Sequence, residues 1–177
     1  DNYQVTLTGT DSLGCASRTI KTISICNASL VPQSLSDSRW YFYDNAGMNF
    51  NNAGFNPTAL TDGQVFTGFM DGEGSSTVSD PKTGNLLFYT DGSQIWDNTH
   101  TLMPNGTGLT GGYSTAQTAL IVPMPGNESQ YYVFVLRGIT NGVPYELRYS
   151  IVDMTLNGNK GDVIVGKKNI LLDTTYG

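Results

Sequence analysis

Ser75-Ser76-Thr77-Val78-Ser79, then Asp80-Pro81-Lys82-Thr83-Gly84, then Asn85-Leu86-Leu87-Phe88-Tyr89-Thr90, then Asp91-Gly92-Ser93 and Gln94-Ile95-Trp96: short β-branched and aromatic runs alternate here with turn clusters. Runs of this length and composition, bounded by Asp, Pro, Gly and Ser, read as strand, turn, strand, turn, strand. A further short strand around Thr101-Leu102-Met103 completes a four-stranded unit. The following residues repeat the plan. Thr118 to Val122 is a strand, Pro123-Met124-Pro125-Gly126-Asn127 a turn, and Gln130 to Leu136 a strand holding the longest apolar run. Asn141-Gly142 marks another turn before a strand from Tyr145 to Val152, and Asp162 to Leu172 supplies the last strand. An earlier partial unit runs from Trp40 to Asp62. Ser76 to Thr118 is a step of about 42 residues, inside the 40 to 45 of four-stranded propeller blades. The repeat rests on strand spacing and not on residue identity. Helical periodicity is nearly absent, because Gly, Pro or Asn interrupts most ten-residue windows. The expected class is all-β.

Toward the N-terminus the pattern is cleaner still. Tyr3, Val5 and Leu7 alternate with Gln4, Thr6 and Thr8, followed by the turn cluster Asp11-Ser12-Leu13-Gly14 and a strand from Arg18 to Ile25. This predicts a hairpin with one buried side. A lone hairpin is marginal in water, so it calls for a partner sheet. Cys26 to Ser38 reads as a linker. If Thr19 to Ile25 is one extended strand, Cys15 and Cys26 lie near its opposite ends. Direct pairing then requires the chain to fold back, and the alternative is a partner Cys beyond the N-terminal side. The chain opens on Asp1-Asn2-Tyr3-Gln4-Val5 with no basic or apolar leader, and reads as a processed or partial segment of something longer.

Composition narrows the function classes. The 177 residues carry a formal net charge of -6, and only 14% are charged, against roughly 25% for typical soluble domains. Gly, Thr, Asn and Ser make up about two-fifths of the chain. With 11% aromatics there is enough apolar surface for a core, so the chain is not disordered. Nine basic residues form no stripe that would release counterions from phosphate, so no nucleic-acid partner is expected. No run approaches eighteen apolar residues, so no transmembrane segment is expected.

Two stretches resemble known families. Tyr3-Gln4-Val5-Thr6-Leu7-Thr8 with Asp11-Ser12-Leu13-Gly14-Cys15 resembles the last two strands of a PKD (polycystic kidney disease) domain, an immunoglobulin-like sandwich used as a spacer in secreted and cell-surface proteins. The rest resembles a family of large secreted Bacteroidota proteins that are gliding-motility-associated and exported by type IX secretion with a C-terminal sorting domain. Trp40-Tyr41-Phe42, Asn45-Ala46-Gly47, Ala59-Leu60-Thr61-Asp62-Gly63 and Gly84-Asn85-Leu86-Leu87-Phe88-Tyr89-Thr90-Asp91-Gly92 carry the likeness. So do Ile95-Trp96-Asp97, Met103-Pro104-Asn105-Gly106-Thr107-Gly108 and Tyr149-Ser150-Ile151-Val152-Asp153-Met154. The resemblance implies the C-terminal strands of a PKD-like sandwich over 1–26, a linker over 27–38, and a partial β-propeller-like domain of two to three blades over 39–177. It further implies an extracellular adhesin-like module supporting surface adhesion or gliding, with the type IX secretion machinery and surface glycans or other cell-surface proteins as partners. The alternatives are part of a propeller-type carbohydrate-active enzyme or a purely structural filament or spacer element. It implies no established catalytic residue.

Few residues carry chemistry of their own. His100 is the sole histidine and sits in the polar stretch Asp97-Asn98-Thr99-His100, where a turn role is expected and catalysis is not. No Gly-x-Ser-x-Gly elbow occurs, and one His with two separated Cys does not offer zinc-ligand spacing. Asp71-Gly72-Glu73-Gly74 and the Asp-Gly pairs at Asp62 and Asp91 present calcium-type oxygens, but Asp-Gly is first of all turn chemistry. No metal and no cofactor is expected. Trp40, Trp96 and the tyrosines offer ring faces for sugars, with Phe88 and Tyr89 pointing to opposite faces so that at most one reaches solvent. Asp11-Ser12-Leu13 and Asp173-Thr174-Thr175 match the short Bacteroidota O-glycosylation pattern, making Ser12 and Thr174 the candidate acceptors. Asn27, Asn105 and Asn127 open N-glycan sequons that are expected to go unused.

Overall fold

The computed structural model describes residues 2–10, 12–24, 34–51, 56–65, 74–111, 115, 117–137 and 145–175. The chain divides into two compact units, Asp1–Gln33 and Ser34–Gly177. Every strand pair among the described residues is antiparallel. Among the described residues the one helical turn is a 3-10 turn at Asn157–Asn159, and no helix is long and apolar enough to cross a membrane.

The first unit is a hairpin of β1 (Asn2–Thr10) and β2 (Ala16–Ser24), paired without a slip from Asn2↔Ser24 to Thr10↔Ala16. Leu13 and Gly14 sit in the connection, where Gly14 takes φ +83°, open to glycine without a steric penalty. Opposite residues share a face, so Val5 with Lys21 and Leu7 with Thr19 lie on the side that alternation predicts to be buried. That side is uncovered: Val5 is 49% and Leu7 73% exposed.

The second unit stacks three sheets in chain order. The first contains β3 (Arg39–Tyr41), β4 (Gly47–Asn49) and β5 (Thr58–Leu60). The second is a meander of β6 (Ser76–Ser79), β7 (Leu86–Thr90), β8 (Gln94–Asp97) and β9 (Leu102–Thr107). The third has β10 (Ala119–Pro123), β11 (Gln130–Arg137) and β12 (Tyr145–Asp153), with β13 (Asp162–Val163) and β14 (Ile170–Thr175) both pairing to β12. The single last strand expected over Asp162 to Leu172 is therefore two strands. Between them Lys167 N–H donates to the Ile164 carbonyl, and Gly166 has φ +80° at the position where a type II turn needs it. The excursion is held from outside: Lys168 Nζ donates to the Thr107 carbonyl at 2.7 Å and Asn169 Nδ2 to that of Gly108 at 2.8 Å. The expected Asn141-Gly142 turn lies outside the described residues.

The second sheet is the middle layer. Phe88, Ile95, Val78 and Met103 pack toward Tyr131, Val133, Val135 and Val152 of the third sheet, while Leu86, Tyr89 and Trp96 pack toward Tyr41 and Leu60 of the first. A register shift between Val78 and Ser79 breaks the alternation next to Leu86 and Leu87. It lets Leu86 share a core with Tyr89 while Leu87 joins Phe88, as a bulge does. Phe88 and Tyr89 point to opposite faces, and neither reaches solvent: both are fully buried, because sheets cover both faces.

The leading strands of the three sheets run beside one another. Tyr41 N–H of β3 donates to Thr77 Oγ1 of β6 at 2.9 Å, and Ile121 N–H of β10 donates to Ser76 Oγ at 3.1 Å. Ser34 to Ser38, the end of the expected linker, belong to this unit. Leu35 N–H donates to the Pro81 carbonyl, and the carbonyls of Ser36 and Ser38 accept from Ser79 and Phe50. Residues 27–33 lie outside the described residues.

Candidate functional site

The most polar point of the core lies between the first and second sheets. β7 turns Tyr89 inward, β3 does the same with Tyr41, and the rings stack at 4.7 Å, with Trp96 of β8 stacked on Tyr89 at 5.4 Å. The turn after β8 carries His100 in the left-handed region at φ 61°, as the Asp97-Asn98-Thr99 turn demands of it. His100 Nδ1 meets the Tyr89 hydroxyl at 3.0 Å, and Nε2 meets Asp62 Oδ2 at 3.3 Å. Tyr41 donates to Asp62 Oδ1 at 3.0 Å, and Gln64 N–H donates to the Tyr89 oxygen at 3.0 Å. One directed chain satisfies all of these: Gln64 N–H to Tyr89, Tyr89 O–H to Nδ1, Nε2–H to Asp62. Burial, then the hydrogen bond and charge of Asp62, push the Tyr41 phenol up to about 12. Tyr89 is raised further, chiefly by burial. Both are therefore neutral donors, and the network ties the two sheets together.

The other acids singled out from sequence close turns. Asp91 Oδ1 accepts from Ser93 N–H and hydroxyl and from Gln94 N–H at 2.7 to 2.8 Å. Asp97 does the same with Thr99 and Thr101, Asp153 with Thr155, and Asn127 with Ser129. Burial works against ionisation of Asp97, but the bonds from the Thr99 hydroxyl and the Thr101 and Thr99 amides outweigh it and hold its pKa below the usual range. These residues share one spacing, Asp or Asn followed two positions later by Ser or Thr. The sequon at Asn127 is this turn, and Asn105 Nδ2 bonds Asp162 Oδ2 at 2.8 Å. Asp71, Glu73, Asn27 and Cys26 lie outside the described residues, and Cys15 is exposed in the hairpin connection. Ser12 is exposed in the same connection. Thr174 is half-buried on β14 opposite Glu146, its N–H donating to Asp173 Oδ1. Trp96 is buried against Tyr89 and offers no face to a sugar, whereas Trp40 is 46% exposed, with Phe50 and Phe42 at 5.0 and 6.1 Å.

A groove of about 900 Å³ opens where the second and third sheets meet, between the β6–β7 turn, the β10–β11 turn and the chain leaving β12. Leu87, Met124, Met154, Pro81 and Pro123 give it apolar walls. Tyr131 of β11 stands at its floor, edge-on to Phe88 at 5.5 Å and only 5% exposed. Its hydroxyl makes no hydrogen bond among the described residues. Burial first, then the Asp80 charge, raises the Tyr131 pKa. Asp80 Oδ1 accepts from Lys82 N–H, Thr83 N–H and the Thr83 hydroxyl, which keep its pKa low against some desolvation, while Oδ2 takes no bond among the described residues. Across the mouth Lys82 and Glu128 approach to 4.0 Å with side chains 81% and 98% exposed, a pair too solvated to hold the rim shut. Neither Asp80 nor Tyr131 was singled out as a site from sequence. Asp80 reads there as turn chemistry and Tyr131 as one more apolar strand residue.

Compared with protein-family models, with curated proteins and with solved structures, the chain matches none.

Proposed function

We propose that the chain is a non-catalytic module of a large secreted or cell-surface, adhesin-like protein that supports surface adhesion or gliding motility. In this reading residues 1–26 are the last strands of a PKD-like sandwich. Residues 39–177 are two to three propeller-like blades, and the type IX secretion machinery exports the whole. The uncovered Val5 and Leu7 side of the hairpin supports the first part, since a sandwich partner would cover it. The side-by-side leading strands β3, β6 and β10 support the second, because the innermost strands of adjacent blades run this way. The exposed ring cluster of Trp40, Phe42 and Phe50 on the first sheet would face a neighbouring blade in a ring.

One observation carries the non-catalytic part. Both ring nitrogens of the sole histidine are engaged, by Asp62 and by a Tyr89 with no solvent exposure, so the side chain best suited to proton transfer holds two sheets together. The test is retention of the labelled chain on insoluble polysaccharides and on bacterial cell surfaces, with reducing ends assayed in the supernatant. Retention without new reducing ends is expected. Steady release of reducing ends that disappears in a His100→Gln variant would make the chain an enzyme.

A further inference from the structure

We propose that the groove between the Asp80–Gly84 and Pro123–Ser129 turns binds a neutral sugar ring, one hexopyranose unit of a glycan chain. Its C–H face would lie on Leu87, Met124 and Met154, and its hydroxyls on Asp80 and Tyr131. This deepens the adhesive reading and rests on it for the kind of surface the chain meets.

Three features select that ligand. The first is the unpartnered polar pair at the floor. Tyr131 is 5% exposed and lines the groove, and its hydroxyl, which makes no hydrogen bond among the described residues, is free to donate to and accept from a ligand there. Asp80 is fixed by three bonds to Oδ1, and its backbone is locked by Gly84 N–H on its carbonyl and by its own N–H on the Asn85 carbonyl. Its ionised Oδ2 is an acceptor only, so it asks for a donor, which a sugar hydroxyl supplies with a charge-assisted bond. The second is the wall chemistry. Two thioethers, a leucine and two prolines around a polar floor match the amphipathic faces of a pyranose, and an extended ammonium side chain would leave those walls unused. The third is charge. Asp80 and Glu128 against Lys82 leave one net negative charge at the mouth, which turns away uronates, sialic acids and phosphates. The space exceeds one ring, so a glycan chain can pass through with flanking units in the open part near Asn127 and Asn159.

The experiment uses the full chain and follows binding by calorimetry and by the methyl signals of Met124 and Met154. The probes are cellotetraose, mannotetraose, laminaritetraose and chitotetraose, with tetragalacturonate and tetralysine as charged arms. At least one neutral oligosaccharide is expected to bind and shift both methyl signals. Tyr131→Phe keeps the ring against Phe88 and removes only the hydroxyl, and should weaken binding about tenfold. Asp80→Asn should weaken it by about as much or more. Met124→Ala, at the rim, serves as a second variant that leaves the floor intact and should also weaken it. Failure of all four neutral probes, indifference to all three substitutions, or binding of tetragalacturonate or tetralysine in their place would overturn the proposal. If the variants still adhere to surfaces as the parent does, the groove assignment falls and the adhesive reading stands. If the groove binds sugar while the chain adheres to nothing, the adhesive reading falls.

Discussion

Tyr41 and Tyr89 hold their protons in the fold well past the point where an exposed phenol loses its own. Tyr41 is pushed up to about 12, by burial and then by Asp62, and Tyr89 higher still, mainly by burial. In the unfolded chain both ionise near 10, so the unfolded state releases protons first as pH rises. Stability is therefore fully present below about pH 10 and falls as pH climbs toward 12, by on the order of 2 kcal/mol for Tyr41 once titration is complete. Thermal midpoints measured from about pH 8 to pH 11 should stay level and then drop, with phenolate absorbance rising in step with unfolding. Tyr41→Phe should cost about 0.5–1.5 kcal/mol at neutral pH, where the bond to Asp62 is lost, and flatten the alkaline drop. A parent midpoint unchanged to the end of that range, or a variant with an equal slope, would contradict this account. His100 shows what the sequence could reveal of this cluster. The polar run Asp97-Asn98-Thr99 marks its turn, but its two partners arrive from β7 and from the segment after β5, and no local pattern announces them.

The turns and close approaches between strands leave less room than the many glycines imply. Around the start of β10 two backbones meet. Gly111 N–H donates to the Gly92 carbonyl at 3.0 Å, and a Cβ on Gly111 would lie 2.4 Å from that oxygen. A carbonyl fixed in a turn cannot retreat as a flexible side chain can, so Gly111→Ala should destabilise by about 2–4 kcal/mol. Gly126 is the contrast. It has φ +78° with nothing within 4 Å of an added Cβ, so Gly126→Ala should cost only the left-handed penalty, about 1–2 kcal/mol. Urea midpoints of the two variants check the order, and a Gly126 variant less stable than the Gly111 one would refute it. Strand order was readable because each turn is chemically local: Asp91 or Asp97 bonds a Ser or Thr two positions on, inside a single window of sequence. The split of the last strand was not. Val163-Ile164-Val165 has the composition of a strand, and what breaks it is Lys168 and Asn169 reaching to carbonyls near the end of β9.

Knowing which sheet lies in the middle required the assembled fold. Leu86 to Thr90 reads as one apolar run whether one face or both are covered, and only the positions of β3 and β11 decide that Phe88 and Tyr89 are both buried. The same assembly creates the groove, whose floor residues come from β11 and the β6–β7 turn and whose outline no single segment carries. It also sets how the chain can be divided. Both apolar cores lie within residues 34–177, and every described side chain of the hairpin from 4 to 22 is exposed. Each unit is compact in itself, and the described core residues all belong to the second, so a chain beginning at Ser34 should keep a cooperative unfolding transition of its own, checked by calorimetry. A peptide of residues 1–26 should show no cooperative transition, since two strands without a covered face do not hold in water. Starting instead at Arg39 removes the carbonyls that Ser79 and Phe50 bond, and buries no replacement at Ser38. Each backbone donor stranded in this way costs about 1–3 kcal/mol. The Arg39 start should therefore be less stable than the Ser34 start by a margin that calorimetry resolves easily, whereas equal midpoints would mean that Ser34 to Ser38 lie on the sheets without supporting them.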